Sequence, residues 1–198
     1  MIKLISLCVL VFASAAGLTK LMGGLARTRG LLDVPNSRSS HSRVVPRGGG
    51  LAIIIVFVSA LTLLWLYGSI QTPLYAGLCV AGMMVGGIGF RDDFRHVPQQ
   101  WRVLVHVIAV LLSLYIIGNE FIEVTSFDGG YNQWVIIPLV VLLLVWWLNL
   151  FNFMDGIDGI AGSETLFIAL SGAWITYYSG QSEISLVFLM LAERKSVV

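Results

Sequence analysis

Four polar side chains recur at every third position near the middle of the chain, in the stretch WWLNLFNFMDGIDGIAG (146–162). They are Asn149, Asn152, Asp155 and Asp158. Because successive helical residues are turned by about 100°, this spacing drifts slowly around one side of a helix, and neighbouring members can face a common cavity. Polar groups at membrane depth tend to line a bundle interior or a water-filled site. The pattern favours a functional site over a plain helix-terminating turn, which would not require the upstream asparagines.

A second candidate site is the pair of adjacent carboxylates, Asp92 and Asp93, in the stretch GFRDDFRHVPQQWR (89–102). Neighbouring carboxylates at an interface can hold Mg²⁺, which prefers oxygen ligands and keeps waters for phosphates. One of them could instead act as a general base. The alternative is a solvated cluster in which the aspartates pair with Arg91 and Arg95.

A third candidate site is the arginine-rich stretch DVPNSRSSHSRVVPRGGG (33–50), in which Arg38, His41, Arg43 and Arg47 fall within ten residues. Guanidinium groups match phosphate oxygens in a bidentate way. The triple glycine lets backbone N–H groups approach an anion just before a helix begins. These features predict phosphate binding. The alternative is a basic loop that only anchors the membrane topology.

The composition places these segments in a membrane protein. Of the 198 residues, 57% are hydrophobic and 12% are charged, with a mean hydropathy of +0.87. Soluble domains carry about 45–50% apolar and about 25% charged residues. The net charge of +1 gives no reason to expect a nucleic-acid partner. Cys8 and Cys79 lie far apart in apolar runs, which predicts packing residues and not a disulfide or a metal site.

The positions of the apolar runs predict an all-α fold, namely a polytopic membrane helical bundle in one domain over residues 1–198. A spanning helix needs about 20 mostly apolar residues. Six candidate spans and a partial seventh follow, at 2–26, 51–67, 74–90, 101–118, 134–153, 165–179 and 184–191. Residues 1–16 also resemble a signal peptide with a small-residue cleavage site. The apolar pattern continues to residue 26, which favours an uncleaved span.

The charges of the loops predict the orientation of these spans. Residues 27–50 hold five arginines and one aspartate, and residues 91–102 hold three arginines and two aspartates, whereas residues 119–133 hold three acidic residues and no Lys or Arg. Positive loops mark the cytoplasmic side. The N-terminus is therefore expected outside. The three polar segments are expected to meet at the cytoplasmic face, in loops at about 27–50, 91–101 and 154–164.

Together the three segments resemble the polyprenyl-phosphate N-acetylaminosugar-1-phosphate transferases, known as glycosyl transferase family 4. The resemblance spans residues 33 to about 162 in the order and topology of the family. It is carried by D-x-P-x-x-R-x-x-H followed by PRGGG, then DD, then N-x-x-N-F-M-D-G-I-D-G. The PRGGG version looks more like the O-antigen branch than the related phospho-N-acetylmuramoyl-pentapeptide transferases.

The resemblance implies transfer of a sugar 1-phosphate from a UDP-linked N-acetylated sugar to undecaprenyl phosphate at the bacterial inner membrane, with release of UMP. Mg²⁺, with Mn²⁺ as an alternative, would be the cofactor, and a homodimer is a further expectation. By motif, Asp92 and Asp93 resemble the catalytic aspartates, and Asn152 matches a residue that helps to hold the metal. The residues that match substrate-binding positions are Asp33, Arg38, His41, Asp155 and Asp158, beside Arg47 from the phosphate argument.

The chain also departs from the family pattern, because family members have ten or eleven spans. The later F-x-G-D segment and the His-rich last cytoplasmic loop have no counterpart, and the tail AERKSVV resembles no family segment. The sequence therefore predicts a C-terminally truncated transferase. The first alternative is a catalytically inactive membrane fragment or packing subunit. The second is a small transporter, which ranks last because the polar residues cluster at one face and not deep within several spans.

Overall fold

The computed structural model describes residues 2–28, 32–33, 45–46, 49–118, 133–154 and 160–191. Within these ranges the chain forms seven helices and one antiparallel pair of two-residue strands, so the all-α prediction is confirmed. In chain order the elements are α1 (Ile2–Thr28), β1 (Leu32–Asp33), β2 (Val45–Pro46), α2 (Gly49–Leu66), α3 (Thr72–Phe94), α4 (Gln99–Ile117), α5 (Gln133–Met154), α6 (Ile160–Tyr178) and α7 (Ser182–Leu191).

Four helices in the described ranges are long and apolar enough to cross a membrane. They are α2, α3, α4 and the Val135–Asn152 part of α5. At 1.5 Å per residue, helices of this length extend about 27–34 Å, which matches a hydrocarbon core of about 30 Å. Large apolar side chains remain exposed on them, among them Leu112, Leu142 and Trp146, as expected for lipid contact. The polytopic helical membrane architecture is confirmed, and each predicted apolar run lies in a helix to within one residue.

Two helix boundaries differ by four residues or more from those expected, and the others differ by two at most. Helix α3 continues to Phe94, so Asp92 and Asp93 occupy its last turn, whereas the sequence placed the start of a loop at residue 91. The helix ends at Phe94, so Val97, the residue whose helical conformation Pro98 disfavours, lies outside it. Helix α6 begins at Ile160, inside the loop expected at 154–164, and no proline interrupts it up to Tyr178.

The chain divides into two compact units. The first is formed by Met1–Ile70 and Met154–Val198. Here α2 packs against α1 and α7, and buries Ala52, Val56, Ala60, Leu61 and Leu64. Strand β2 also contacts α1.

Within this first unit, α6 and α7 form a tight hairpin. The Ser185 hydroxyl donates a hydrogen bond of 2.9 Å to the carbonyl of Ala173. Gly172 leaves room for the ring of Phe188, whose atoms would lie 2.7–2.8 Å from an added Cβ. Small residues that let helices approach, with a hydroxyl bonded across the interface, are the usual means of packing helices in membranes.

The second unit is Gln71–Phe153, and its best-packed part is the hairpin of α3 and α4. Gly77 is buried against Ile117, and the Ser113 hydroxyl donates 3.1 Å to the Gly77 carbonyl. Cys79 is buried in α3, which agrees with its expected role in packing. The single membrane domain expected from the sequence stays a prediction.

Glycines with positive φ end three of the described helices, and one of them is Gly118 after α4, with φ of 58°. Gly68 follows α2 with φ of 66°, and Gly180 follows α6 with φ of 78°. The next N–H closes each of these two turns, from Ser69 to the Leu64 carbonyl at 2.8 Å and from Gln181 to the Thr176 carbonyl at 2.9 Å. This is the Schellman closure, in which a left-handed residue lets the chain satisfy the last helical carbonyls. In α6 it sets up the short turn into α7.

Candidate active site

The two adjacent carboxylates, Asp92 and Asp93, lie in the last turn of α3 and are both half-buried. The helix ends at Arg95, whose N–H still donates 2.9 Å to the Arg91 carbonyl but whose backbone has turned extended. Neighbouring helical side chains point about 100° apart. The two carboxylates therefore leave the helix in different directions, and only one of them can point directly at α4.

The carboxylate that meets the following segment is Asp92. Its Oδ1 accepts a hydrogen bond of 2.7 Å from the Val97 N–H, and its Oδ2 accepts one of 2.9 Å from Nη1 of Arg102. The His96 Nδ1 lies 4.0 Å from Oδ1, on a side chain that is 91% exposed. Asp92 thus bridges the end of α3, the turn at residues 95–98 and the first turn of α4.

Neither Arg102 nor Val97 was among the residues selected from the sequence. The sequence alternative paired the aspartates with Arg91 and Arg95, whose side chains are exposed, whereas the ion pair of Asp92 reaches Arg102 ten residues further on. The available signal was a cation ten residues downstream, across a proline that forces a turn. To select Arg102 as the partner of Asp92, one must know how α4 lies beside α3. The spacing of residues in the sequence does not give this register.

The asparagines of the stretch at 146–162 lie near the end of α5. Asn149 is half-buried, and its Nδ2 donates 2.8 Å to the Val145 carbonyl one turn earlier. Asn152 is exposed in the last turn. The Trp147 and Phe151 rings are 5.9 Å apart, and both Trp146 and Trp147 are exposed. Tryptophans of this kind are typical of the headgroup level of a membrane. The end of α5 therefore has the composition of an interfacial segment.

The arginine-rich stretch (33–50) begins in β1, and it also contains β2 and the start of α2. Asp33 in β1 lies opposite Val45 in β2, and Leu32 lies opposite Pro46. The antiparallel pairing brings the two ends of residues 34–44 together and places Pro46 just before α2. The predicted residues Arg38 and His41 lie in that interval. Together with Arg47, Asp155 and Asp158 they fall outside the described residues, so the meeting of the three segments stays a prediction.

The described donors suit Mg²⁺ in kind, because Asp92, Asp93 and Asn152 all offer oxygen. Each Asp92 oxygen accepts one hydrogen bond, and an ionised carboxylate oxygen has a second lone pair available. Among the described side chains, no group of three or more His, Cys, Asp or Glu residues gathers closely enough to hold a metal ion. The metal assignment therefore stays a prediction.

Comparison with known protein families gives a match over more than half of the chain. The pattern that defines Glycosyl transferase family 4 matches residues 75–195. The match includes the carboxylate pair on α3 and the asparagine–aspartate stretch that begins within α5. It also runs well past residue 162, where the resemblance read from the motifs ended, and into the tail that was expected to resemble no family segment. That expectation was wrong.

Three curated relatives are similar over most of the chain. A "Probable undecaprenyl-phosphate N-acetylglucosaminyl 1-phosphate transferase" of Bacillus subtilis (strain 168) is 26% identical over 91% of the chain and 50% of its own length. An "Undecaprenyl-phosphate alpha-N-acetylglucosaminyl 1-phosphate transferase" of Escherichia coli O157:H7 is 28% identical over 85% of the chain and 46% of its own length. A "Phospho-N-acetylmuramoyl-pentapeptide-transferase" of Methylacidiphilum infernorum is 29% identical over 71% of the chain and 43% of its own length. The chain thus spans about half the length of these relatives.

Proposed function

The chain belongs to glycosyl transferase family 4, and from this membership we propose that it acts in the transfer of an N-acetylated sugar 1-phosphate from a UDP-sugar to undecaprenyl phosphate. The relatives in Bacillus subtilis and Escherichia coli support the acceptor, because both are named for undecaprenyl phosphate. The product would be a lipid-linked sugar that starts O-antigen or another cell-envelope polysaccharide.

The membrane setting suits this reaction, since the acceptor is a lipid. We place the protein in the bacterial inner membrane with its N-terminus outside and its polar segments in the cytoplasm. The support is the alternation of charge between loops, with five arginines in residues 27–50 and none in residues 119–133. A soluble UDP-sugar and a phosphate anchored in the inner leaflet could meet only on that side. A homodimer remains part of the proposal.

The chemistry is a displacement at phosphorus. An oxygen of the lipid phosphate attacks the phosphorus that carries the sugar, and a new P–O–P link forms. The bond from that phosphorus to the bridging oxygen of the UDP breaks, and UMP leaves with the electron pair. One proton is lost from the lipid phosphate if it arrives protonated. Catalysis of such a step rests mainly on positioning and on stabilising charge.

The proposed roles follow from the chemistry of each side chain. Asp92 and Asp93 are the catalytic carboxylates, one of which takes the proton of the lipid phosphate. Asp155 and Asp158 line the nucleotide-sugar site. Arginines suit the phosphates because a guanidinium can donate two parallel hydrogen bonds to phosphate oxygens. Besides Arg47, the residues of the arginine-rich stretch proposed to bind substrate are Asp33, Arg38 and His41.

Mg²⁺, with Mn²⁺ as a substitute, is the proposed cofactor, and Asn152, Asp92 and Asp93 are its proposed ligands. When bound, it would neutralise charge on the diphosphate and make UMP a better leaving group. The protein residues would orient the donor and exclude water from the reacting phosphates.

The observation that carries the proposal is the half-buried Asp92–Asp93 pair at the end of a membrane helix, inside the segment that matches the family. A carboxylate pair placed there can meet a lipid phosphate and a soluble donor at once. An exposed pair in a plain loop would have given less support, because it would be fully screened by water.

An isotope-exchange measurement tests the proposal. Membranes that contain the 198-residue chain are incubated with UDP-GlcNAc, labelled UMP, undecaprenyl phosphate and Mg²⁺, and label entering the UDP-sugar is counted. Exchange that requires both the lipid and the chain would support the proposal. If a longer family member exchanges label in parallel while this chain does not, the alternative of an inert membrane segment or packing subunit is correct.

A further inference from the structure

Arg102 lies outside the set of residues assigned to the reaction, yet it is in direct contact with Asp92, a member of that set. Its Nη1 is 2.9 Å from Oδ2 of Asp92, and the two side chains are equally enclosed, each 23% exposed. We propose that Arg102 is a positioning residue: it acts through Asp92, whose carboxylate it holds in one orientation at the end of α3. This inference rests on the proposed function where it concerns catalysis.

The geometry around Asp92 supports a fixed orientation. A carboxylate turns readily about its last bond, so a single hydrogen bond leaves it free to rotate. Here two donors approach different oxygens, the Val97 N–H at Oδ1 and Arg102 at Oδ2. The Val97 donor belongs to the backbone of a buried residue, and the Arg102 donor to a guanidinium on the first turn of α4. The carboxylate is therefore held through both of its oxygens, by one donor at each.

The pairing also leaves chemistry available. An ionised carboxylate has about four lone-pair sites, of which these two donors take one on each oxygen. The remaining sites can accept a proton or a metal ion, and their direction is set by the two donors. Other cations of this turn are less suited to this role, because Arg91, Arg95 and His96 are exposed. Hydrogen bonds to charged groups are stronger than neutral ones, and partial burial weakens screening by water.

The catalytic arm of the test compares three variants in the exchange assay. Arg102→Gln removes the charge but keeps a polar side chain, Arg102→Lys keeps the charge but loses the planar donor, and Arg95→Gln makes the same charge change at an exposed position of the same turn. We expect kcat to fall about tenfold to a hundredfold in Arg102→Gln, as misplacement of a reacting group does. The KM for the UDP-sugar should stay near that of the wild type, and Arg102→Lys should recover part of the kcat. If Arg102→Gln turns over as fast as Arg95→Gln, the inference is wrong.

The second arm does not depend on turnover. Amide hydrogen exchange of Val97 in the full chain reports directly whether Asp92 holds that N–H. We expect exchange to be at least about tenfold faster in Arg102→Gln than in Arg95→Gln, because a loosened charged acceptor protects the amide less. Equal protection in the two variants would overturn the inference even if the wild type is active. An inactive wild type with lost protection in Arg102→Gln would instead refute the proposed function and leave the positioning of Asp92 established.

Discussion

The Ser113 hydroxyl donates a hydrogen bond of 3.1 Å to the carbonyl of Gly77, 36 residues earlier in the chain. This contact lies at one end of the α3–α4 hairpin, and the ion pair between Asp92 and Arg102 lies at the other. One polar tie therefore fixes the register at each end. The last turn of α3, with its two carboxylates, cannot slide along α4 without breaking both ties.

The first prediction concerns the close approach at Gly77. In Gly77→Ala the new Cβ would lie 2.8 Å from Cγ1 of Ile117 and 3.2 Å from the carbonyl oxygen of Ser113. Because the second of these atoms belongs to the backbone, the helices must separate. We expect a loss of about 1–3 kcal/mol in the free energy of unfolding, as for other overpacked sites. Unfolding in mixed detergent micelles, followed by circular dichroism, would measure it.

The control for this prediction is Gly87→Ala on the same helix. An added Cβ there meets nothing within 4 Å. Alanine is also the better helix former, by about 1 kcal/mol. Gly87→Ala should therefore be neutral or stabilising. Equal destabilisation by the two substitutions would show that α3 does not pack on α4 through Gly77.

The second prediction concerns the hairpin of α6 and α7. An added Cβ at Gly172 would lie 2.7–2.8 Å from three ring atoms of Phe188. Gly172→Ala should therefore destabilise the chain, and it should do so much less in a Phe188→Ala background. The double-mutant cycle should give a coupling of about 0.5–3 kcal/mol, the range for residues in contact. Additive effects would mean that the ring does not occupy that position.

The third prediction concerns Asp93. Asp93→Asn keeps the shape of the side chain but removes its charge, so we expect label exchange to fall below detection while the amount of protein in the membrane stays the same. The matched control is Glu183→Gln, an equivalent carboxylate-to-amide change in the first turn of α7, which should exchange label as the wild type does. Undiminished exchange by Asp93→Asn would exclude a catalytic carboxylate at that position.

Much of the fold could be predicted from the sequence because hydrophobic length alone defines a membrane helix. Each apolar run lies in a helix of the structure to within one residue, and the carboxylate pair was located to within one helical turn. The last turn of α3 was expected to be a loop because residues 91–94 are polar in composition. These residues include no proline or glycine that would end the helix, and the next proline is Pro98.

The partner of Asp92 could not be read from the sequence for a different reason. Arg91, Arg95 and Arg102 are all close in the chain, and the choice among them depends on how α4 returns beside α3. The Ser113–Gly77 contact has the same origin, because spacing gives no register between two helices. For Asn149, the hydrogen-bond partner is local and lies in the same helix. Its spacing indicated a shared cavity, which stays a prediction, and in the structure its amide donates to the carbonyl one turn earlier in its own helix.

The central claim is that the three polar segments share the cytoplasmic face. It is tested most directly by labelling Ser42→Cys, Arg95→Cys and Ile157→Cys, one at a time, in a chain in which Cys8 and Cys79 are replaced by alanine. A maleimide that cannot cross membranes is applied to intact cells and to inverted vesicles. We expect all three positions to react in inverted vesicles and none in intact cells. Reaction of any one of them only from the outer side would contradict the account.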